Sequence, residues 1–179
     1  MASSRFTVFP LVVLSIFSLS LVGDANKLKS SPFESALDTL QNQIGYAFKN
    51  IGYLRQAMTH SSFSEENNKA FSILGSNVID TSVSMYYIGK DIGISSKELN
   101  RRIAENSKVD TSCAVDGMRL GLHKVVRVSS KTNSTTPSVV CGAFRAIFGA
   151  VAIDTKKVDD AGIVFWKVHG SEVGKVMVM

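Results

Sequence analysis

The sequence predicts an all-α domain of many helices with unequal lengths, and not a regular helix bundle. In successive segments apolar residues recur three and four positions apart, which is the spacing of helices that bury one face. No segment of useful length alternates strictly between apolar and polar residues, as a half-buried strand would. The composition suits a packed core, because 45% of the residues are apolar and only 20% are charged.

Two helices are predicted in the first third of the domain. Ser31 and Pro32 form a helix start, since serine caps the free N–H groups and proline fits the first helical position. The inward positions of this helix are Phe33, Ala36, Leu37, Leu40 and Ile44. A second helix starts near Asn50 and ends at residues 59–63, and its inward positions are Ile51, Leu54, Ala57 and Met58.

The third predicted helix is the longest in this half of the chain. It starts at Asn68, after the turn-like run at 61–67, and continues to about Ile88. Its expected apolar face consists of Ala70, Phe71, Leu74, Val78, Thr81 and Met85.

Helix signals continue to the carboxyl end of the domain. Ser95 and Glu98 have the spacing of a capping box, and Asp110 is expected to cap the helix that stops at Gly121. Pro137 opens a helix whose inward residues are Cys141, Phe144, Ile147 and Val151. A last helix is predicted from Val158 to about His169, with Ala161, Val164 and Trp166 partly buried.

The amino terminus has the three parts of a secretory signal peptide. Arg5 supplies the positive region, residues 11–22 are apolar, and small residues precede a cleavage point before Asn26. We therefore expect a leader at 1–25 and a domain at 26–179, with its core at about 40–170. The expected location is the secretory pathway, in the lumen of the endoplasmic reticulum or nuclear envelope, or outside the cell, and the alternative is an organelle. No later segment is expected to span a membrane.

Two further features fit an oxidising compartment. Cys113 and Cys141 are the only cysteines, and they are either a disulfide pair or two small buried residues. Asn133 begins an Asn-Ser-Thr triplet in a polar loop, which is a possible glycosylation site. The net charge of +5 permits an anionic partner, such as nucleic acid or a membrane surface, and equally an ordinary basic surface.

Five segments resemble, in order and spacing, the ribonuclease III domain family. They are 44–48 (IGYAF), 53–63 (YLRQAMTHSSF), 68 with 73–75 (N and ILG), 120–122 (LGL) and 143–150 (AFRAIFGA). The resemblance extends over about residues 40–170 and includes no double-stranded-RNA-binding domain. It implies an all-α endonuclease fold that usually dimerises. In the family an aromatic residue helps to join the two subunits, and Ile73 stands at that position here.

The resemblance also implies where catalytic acids would stand. Family members hold divalent metal ions with carboxylates, which activate a water and stabilise the leaving oxygen. These positions fall on Lys69, Ser72, Ser76, Gly142 and Arg145, none of which is acidic. Because two of them are cationic, the sequence predicts no metal cofactor and no catalytic residue at these positions. We therefore expect a pseudoenzyme and not a nuclease.

Two other residues near this helix could carry chemistry. Asp80 lies four residues after Ser76, on the same helical stripe, but one displaced acid does not replace the family's set. His60 could be a general base, yet it has no acid or cysteine at a suitable spacing, so a structural role is expected.

The resulting function hypothesis is a scaffold or interaction protein whose protein partner is unknown. The chain also resembles plant members of the family that lack these acids, and that resemblance implies a role in nuclear fusion, the karyogamy of the polar nuclei. The alternative is a non-cleaving binder of structured RNA, in which Lys69 and Arg145 contact phosphates. A homodimer is a further possibility that the resemblance raises.

Overall fold

The computed structural model describes residues 31–169 and confirms the all-α prediction. Over this range it contains eight α-helices, one π-helical segment and no β-strand. The α-helices are α1 (Pro32–Ile44), α2 (Ile51–Ala57), α3 (Lys69–Lys90), α4 (Ser96–Ser107), α5 (Ala114–Arg119), α6 (Leu122–Val125), α7 (Pro137–Thr155) and α8 (Val158–Val168). The π-helical segment (Val109–Cys113) precedes α5. The expected leader at 1–25 lies outside the described residues.

Most predicted helix ends agree with the structure. Ser31 Oγ accepts a hydrogen bond from the Glu34 N–H at 3.2 Å, and Ser95 Oγ accepts one from the Glu98 N–H at 3.2 Å. Gly121 follows α5 with a φ of 72°, a left-handed conformation that stops the helix. The prediction for Asp110 was wrong, because the chain already turns as a π-helix from Val109 and Asp110 lies inside that segment.

Helix α7 lies at the centre of the core. Among its fully buried side chains are Phe144, Ile147, Phe148 and Val151, and α3 packs along it. The prediction that no later stretch is long and apolar enough to cross a membrane was wrong, since α7 has 19 residues and a mean hydropathy of 1.5. In the fold 72% of this stretch is buried against other helices, so its apolar character is explained by its central position.

The buried face of α3 differs from the predicted one. Gly75, Val78, Ile79 and Val83 are buried, whereas Thr81 and Ala70 are exposed and Met85 is 62% exposed. The face is rotated toward Ile79 and Val83, because α3 meets α7 on one side and α4 and α8 on others. The spacing of apolar residues thus predicted the helix correctly, but it misplaced the centre of the buried face.

Two glycines bring the backbones of α3 and α7 into direct contact. A Cβ atom added at Gly75 would lie 1.8 Å from the carbonyl oxygen of Arg145. One added at Gly149 would lie 2.1 Å from the carbonyl oxygen of Phe71. These pairs show that the two helices run antiparallel through the crossing. The segments that carry Ser72 and Arg145 are therefore adjacent in space.

The loop between α1 and α2 is tied to the end of α7 by Asp154. Its carboxylate accepts hydrogen bonds from the Tyr46 hydroxyl at 2.6 Å and from the backbone N–H groups of Lys49 and Asn50 at 2.8 and 2.9 Å. Burial acts to raise the pKa of Asp154, but these hydrogen bonds outweigh it and hold the pKa below its usual value. The segment at 44–48 therefore has a structural role, because its tyrosine closes this loop.

Candidate functional site

The crossing of α3 and α7 is the place where the resemblance puts catalytic acids. Ser72 and Ser76 lie one turn apart on α3, and Gly142 and Arg145 lie one turn apart on α7. The contact between Gly75 and the Arg145 carbonyl joins the two segments at this level. All four residues are half-buried, so their positions lie at the edge of the crossing, beside the buried contact of the two helices.

Arg145 points its charge at the end of another helix. Its Nη2 donates a hydrogen bond to the carbonyl oxygen of Ser107, the last residue of α4, at 2.6 Å. The carboxyl end of a helix carries unpaired carbonyl groups and a partial negative charge, so a guanidinium stabilises it. No basic residue lies in the last turn of α4 itself, and Arg145 supplies that charge from α7.

Asp80 is engaged in the same network. The Ser107 hydroxyl donates a hydrogen bond to Asp80 Oδ1 at 2.5 Å. Asp80 thus connects α3 to the end of α4, next to the carbonyl that Arg145 contacts. The Asp80 carboxylate therefore has a structural partner.

These residues do not suit a divalent metal ion. Magnesium prefers several oxygen ligands with negative charge. Ser72 and Ser76 offer only neutral hydroxyls, Gly142 has no side chain, and Arg145 brings a positive charge. Among residues 31–169, no group of three or more histidine, cysteine, aspartate or glutamate side chains is arranged to hold a metal.

Gly142 has open space around it, at a position where the resemblance implies an acid. A Cβ atom added there would meet no heavy atom within 4 Å. A larger side chain would therefore fit at this position, in contrast to Gly75 and Gly149. Packing therefore does not require a residue without a side chain at Gly142.

Lys69 stands apart from this network. It is the exposed first residue of α3, and its backbone N–H donates to Asn67 Oδ1 at 3.1 Å. Burial, together with the positive charge of Lys69, lowers the pKa of His60. Lys69 is therefore free to meet an anionic partner, whereas Arg145 already donates to Ser107.

His60 has a structural environment, as the sequence predicts. Its Nδ1 accepts a hydrogen bond from the Ser62 N–H at 3.1 Å and lies 2.9 Å from Ser62 Oγ. Ser62 Oγ in turn accepts from the Ser129 N–H at 3.1 Å. The ring thus fastens its own loop to the segment after α6, and no carboxylate lies on this path.

The structure joins Cys113 to Cys141 by a disulfide with an S–S distance of 2.07 Å. The bond connects the π-helical segment to α7, four residues before Arg145. Asn133 is exposed in the loop between α6 and α7, and its Oδ1 accepts hydrogen bonds from the Thr135 N–H and hydroxyl at 2.9 and 2.8 Å. Its amide nitrogen is on a surface that an enzyme could reach.

Sequence reasoning missed three buried polar clusters. Asp154 is one, and Arg127 between two aromatic rings is the second. The third is Asp116, which pairs with His169 Nδ1 at 2.5 Å and with Arg119 Nη2 at 2.8 Å. Apart from Asp116 and Arg119, which are three residues apart, no local spacing predicts these contacts, because the hydrogen-bonded partners lie 53, 68 and 108 residues apart. The one sequence signal for the Asp154 cluster is Tyr46, because a tyrosine hydroxyl that is removed from water needs a hydrogen-bond partner.

Comparison with known proteins agrees with this fold. A family model for ribonuclease-III-like domains matches residues 50–164. The chain is 52% identical to the Protein NUCLEAR FUSION DEFECTIVE 2 of Arabidopsis thaliana, over the full length of both chains. It is 27% identical to Ribonuclease 3 of Staphylococcus aureus over 68% of this chain and 54% of that protein. The chain thus spans about half the length of the bacterial enzyme.

Solved structures give the same result for the fold. The nuclease domain of ribonuclease III from Campylobacter jejuni superposes with a TM-score of 0.69, over 74% of this chain and 94% of that domain, at 24% identity. A second structure of that domain superposes with a TM-score of 0.67. From the family match, the full-length relative and the shared all-α architecture, we conclude that this chain belongs to the ribonuclease-III-like family.

Proposed function

We propose that this chain is a non-cleaving ribonuclease III-like protein that acts as a scaffold or interaction protein in nuclear fusion. The proposed lack of cleavage rests on the residues at the crossing of α3 and α7. Metal-assisted hydrolysis of a phosphodiester needs carboxylate ligands, and Ser72, Ser76 and Gly142 supply none. Arg145 adds a positive charge there, and that charge stabilises the end of α4.

The proposed role in nuclear fusion rests on the Arabidopsis relative, whose name refers to a defect in nuclear fusion. Identity of 52% over both full chains supports a shared role for the two proteins. That role would be in karyogamy, the fusion of the polar nuclei. A scaffold needs a folded surface and a protein partner, and it does not need a metal site.

A cleavage assay tests the loss of chemistry. We expect no hydrolysis of duplex RNA in the presence of Mg²⁺ or Mn²⁺ above the level seen with EDTA. Ribonuclease 3 of Staphylococcus aureus is the positive control for the substrate. Cleavage that EDTA abolishes would overturn the proposal, and an Asp80→Asn variant would then show whether this displaced acid supports it.

Binding of structured RNA without cleavage is the second candidate function. The exposed position of Lys69 at the start of α3 favours it, although Arg145 already donates to Ser107. A gel-shift titration with duplex RNA at low salt provides the measurement. Lys69→Ala would weaken such a complex, whereas Lys97→Ala, an equally exposed lysine in the first turn of α4, would not. Absence of a shift would remove this candidate.

We also propose that the mature chain resides in the secretory pathway, in the lumen of the endoplasmic reticulum or the nuclear envelope, or outside the cell. An oxidising lumen suits the bond between Cys113 and Cys141, and the exposed loop suits a glycan at Asn133. Because the nuclear envelope is continuous with the endoplasmic reticulum, a lumenal protein could reach membranes that fuse.

One plant experiment tests both the role and the compartment. A tagged chain is expressed in Arabidopsis that lacks the relative, and we expect fusion of the polar nuclei to be restored. The recovered chain should begin at Asn26 and lose a glycan on endoglycosidase treatment, except in an Asn133→Gln variant. Unfused nuclei despite a folded, expressed chain would contradict the role. A chain retained in a plastid or mitochondrion would contradict the compartment and favour the organelle alternative.

A homodimer is part of the same proposal. One of the Campylobacter jejuni structures concerns a region involved in dimer formation of that nuclease domain. On this chain Ile73 is 69% exposed on α3, at the position where the family has its aromatic contact residue. Removing this apolar side chain from water in a subunit contact would be favourable. Sedimentation at micromolar concentration should detect a dimer that Ile73→Asp disrupts, and a monomer would remove this part of the proposal.

A further inference from the structure

A polar cavity of about 220 Å³ opens beside α2. Its polar lining residues are Arg55, Gln56, Thr59, Ser64, Glu66 and Arg127. None of them is a position on α3 or α7 where the resemblance implies a catalytic acid. The cavity is smaller than the roughly 300–1,000 Å³ of pockets that enclose drug-sized ligands. Its size therefore suits an ion or the charged group of a small molecule.

Arg127 is held firmly at this cavity. The centre of its guanidinium lies 4.3 Å from the Phe33 ring centroid and 4.9 Å from the Phe63 ring centroid. Its Nη2 donates to Thr59 Oγ1 at 2.6 Å. Its backbone N–H donates to the Met58 carbonyl oxygen, and its own carbonyl oxygen accepts from the His60 N–H, both at 2.9 Å. The side chain is therefore preorganised, and binding a ligand would cost little ordering entropy.

One donor of this guanidinium lacks an acceptor. The Nε–H of Arg127 is buried and has no hydrogen-bond partner within the part of the chain that the structure describes. A buried donor without a partner costs about 1–3 kcal/mol, so folded proteins rarely leave one unpaired. Because Nε is out of reach of solvent, a ligand in the cavity would meet the Nη atoms of this guanidinium, and Nε would report on its charge.

A second guanidinium lines the same cavity. Arg55 uses its Nε and Nη2 to contact the two carboxylate oxygens of Glu34, at 3.1 and 3.0 Å. Burial, together with the positive charge of Arg55, lowers the pKa of Arg127. The Glu34 carboxylate acts to raise the same pKa, so it already offsets part of the repulsion between the two cations, and an anion in the cavity would offset more of it. Against them the lining holds one carboxylate, that of Glu66.

We propose that this cavity binds a small oxyanion, phosphate either as the free ion or as a monoester, between Arg127 and Arg55. Guanidinium groups match the geometry of phosphate oxygens with paired N–H donors. The Ser64 hydroxyl and the second amide N–H of Gln56, whose first donates to the Asn67 carbonyl oxygen, are further donors in the lining, whereas the Thr59 hydroxyl already donates to the Arg55 carbonyl oxygen. The occupant would tie α2 and its following loop to the segment after α6, which Arg127 already joins through Thr59.

The test follows the Nε–H resonance of Arg127 by NMR during titration with inorganic phosphate at constant ionic strength. We expect a saturable shift in the wild-type chain. Glu66→Gln removes the one carboxylate of the lining and should tighten binding about two- to fivefold. Glu65→Gln is the matched control, because this neighbour changes the net charge equally but does not line the cavity. Ser64→Glu, which adds a carboxylate to the lining, should abolish the shift.

The comparison of the two glutamates decides the outcome. A shift that saturates, with Glu66→Gln tighter than Glu65→Gln, supports the site. A shift that never saturates, or equal tightening by the two variants, overturns it. Glycerol 3-phosphate in a parallel titration distinguishes the source of the ligand: a shift with both compounds indicates recognition of a phosphoryl group, and a shift with phosphate alone indicates the free ion. Circular dichroism of each variant checks that it is folded.

Discussion

Replacing Gly75 by alanine should lower the free energy of unfolding by about 3 kcal/mol, near the upper end for overpacked cores. The added Cβ would lie 1.8 Å from the backbone carbonyl oxygen of Arg145, and backbone cannot move aside as a flexible side chain can. The two central helices, α3 and α7, would have to separate along their whole contact. Urea unfolding followed by far-UV circular dichroism measures the change.

Gly142→Ala is the matched control for this substitution. It makes the same chemical change in the interior of an α-helix, but its Cβ would meet no heavy atom within 4 Å. Because alanine favours the helix over glycine, we expect stability to rise by about 0.5–1 kcal/mol. If the two variants unfold at the same urea concentration, the close approach of α3 and α7 is contradicted.

Removing the disulfide should have an effect of similar size. A Cys113→Ala, Cys141→Ala double variant is expected to lose about 3 kcal/mol, since the bond closes a loop across 28 positions of sequence. In the unfolded chain this bond excludes many extended conformations, which raises the free energy of that state. The variant also lacks the covalent link between the π-helical segment and α7.

The reductant response is the control for this prediction. The wild-type chain, purified from an oxidising compartment, should lose stability on addition of dithiothreitol until it equals the double variant. The double variant itself should not respond. A wild-type unfolding curve that reductant leaves unchanged, together with two thiols that label in denaturant, would contradict the disulfide.

Much of the local structure was predictable because its signals are local. Ser31 and Ser95 cap the helices that follow them, and Gly121 adopts the left-handed conformation that its position predicts. Each of these features depends on groups within three or four residues. The misplaced cap at Asp110 shows the limit, because the π-helical turn there depends on how α4, α5 and α7 meet.

At the candidate site, the sequence gives the residue types at the positions implied by the resemblance, but not the contacts that these residues make. The sequence alone shows that none of the residues at 72, 76, 142 and 145 is acidic. The hydrogen bond from Arg145 to Ser107 joins residues 38 positions apart, and no periodicity predicts it. The same holds for Asp80 and Ser107.

The sequence by itself determined that the chain is all-α, where most helices begin, and which family it resembles. These properties follow from helix periodicity, capping residues and short motifs, all of which are local. Only the tertiary structure decided the rotation of α3, the central burial of α7 and the partners of Asp154, Arg127 and Arg145. The physical reason is that burial and ion pairing depend on which distant segments come into contact, and that is settled by packing of the whole chain.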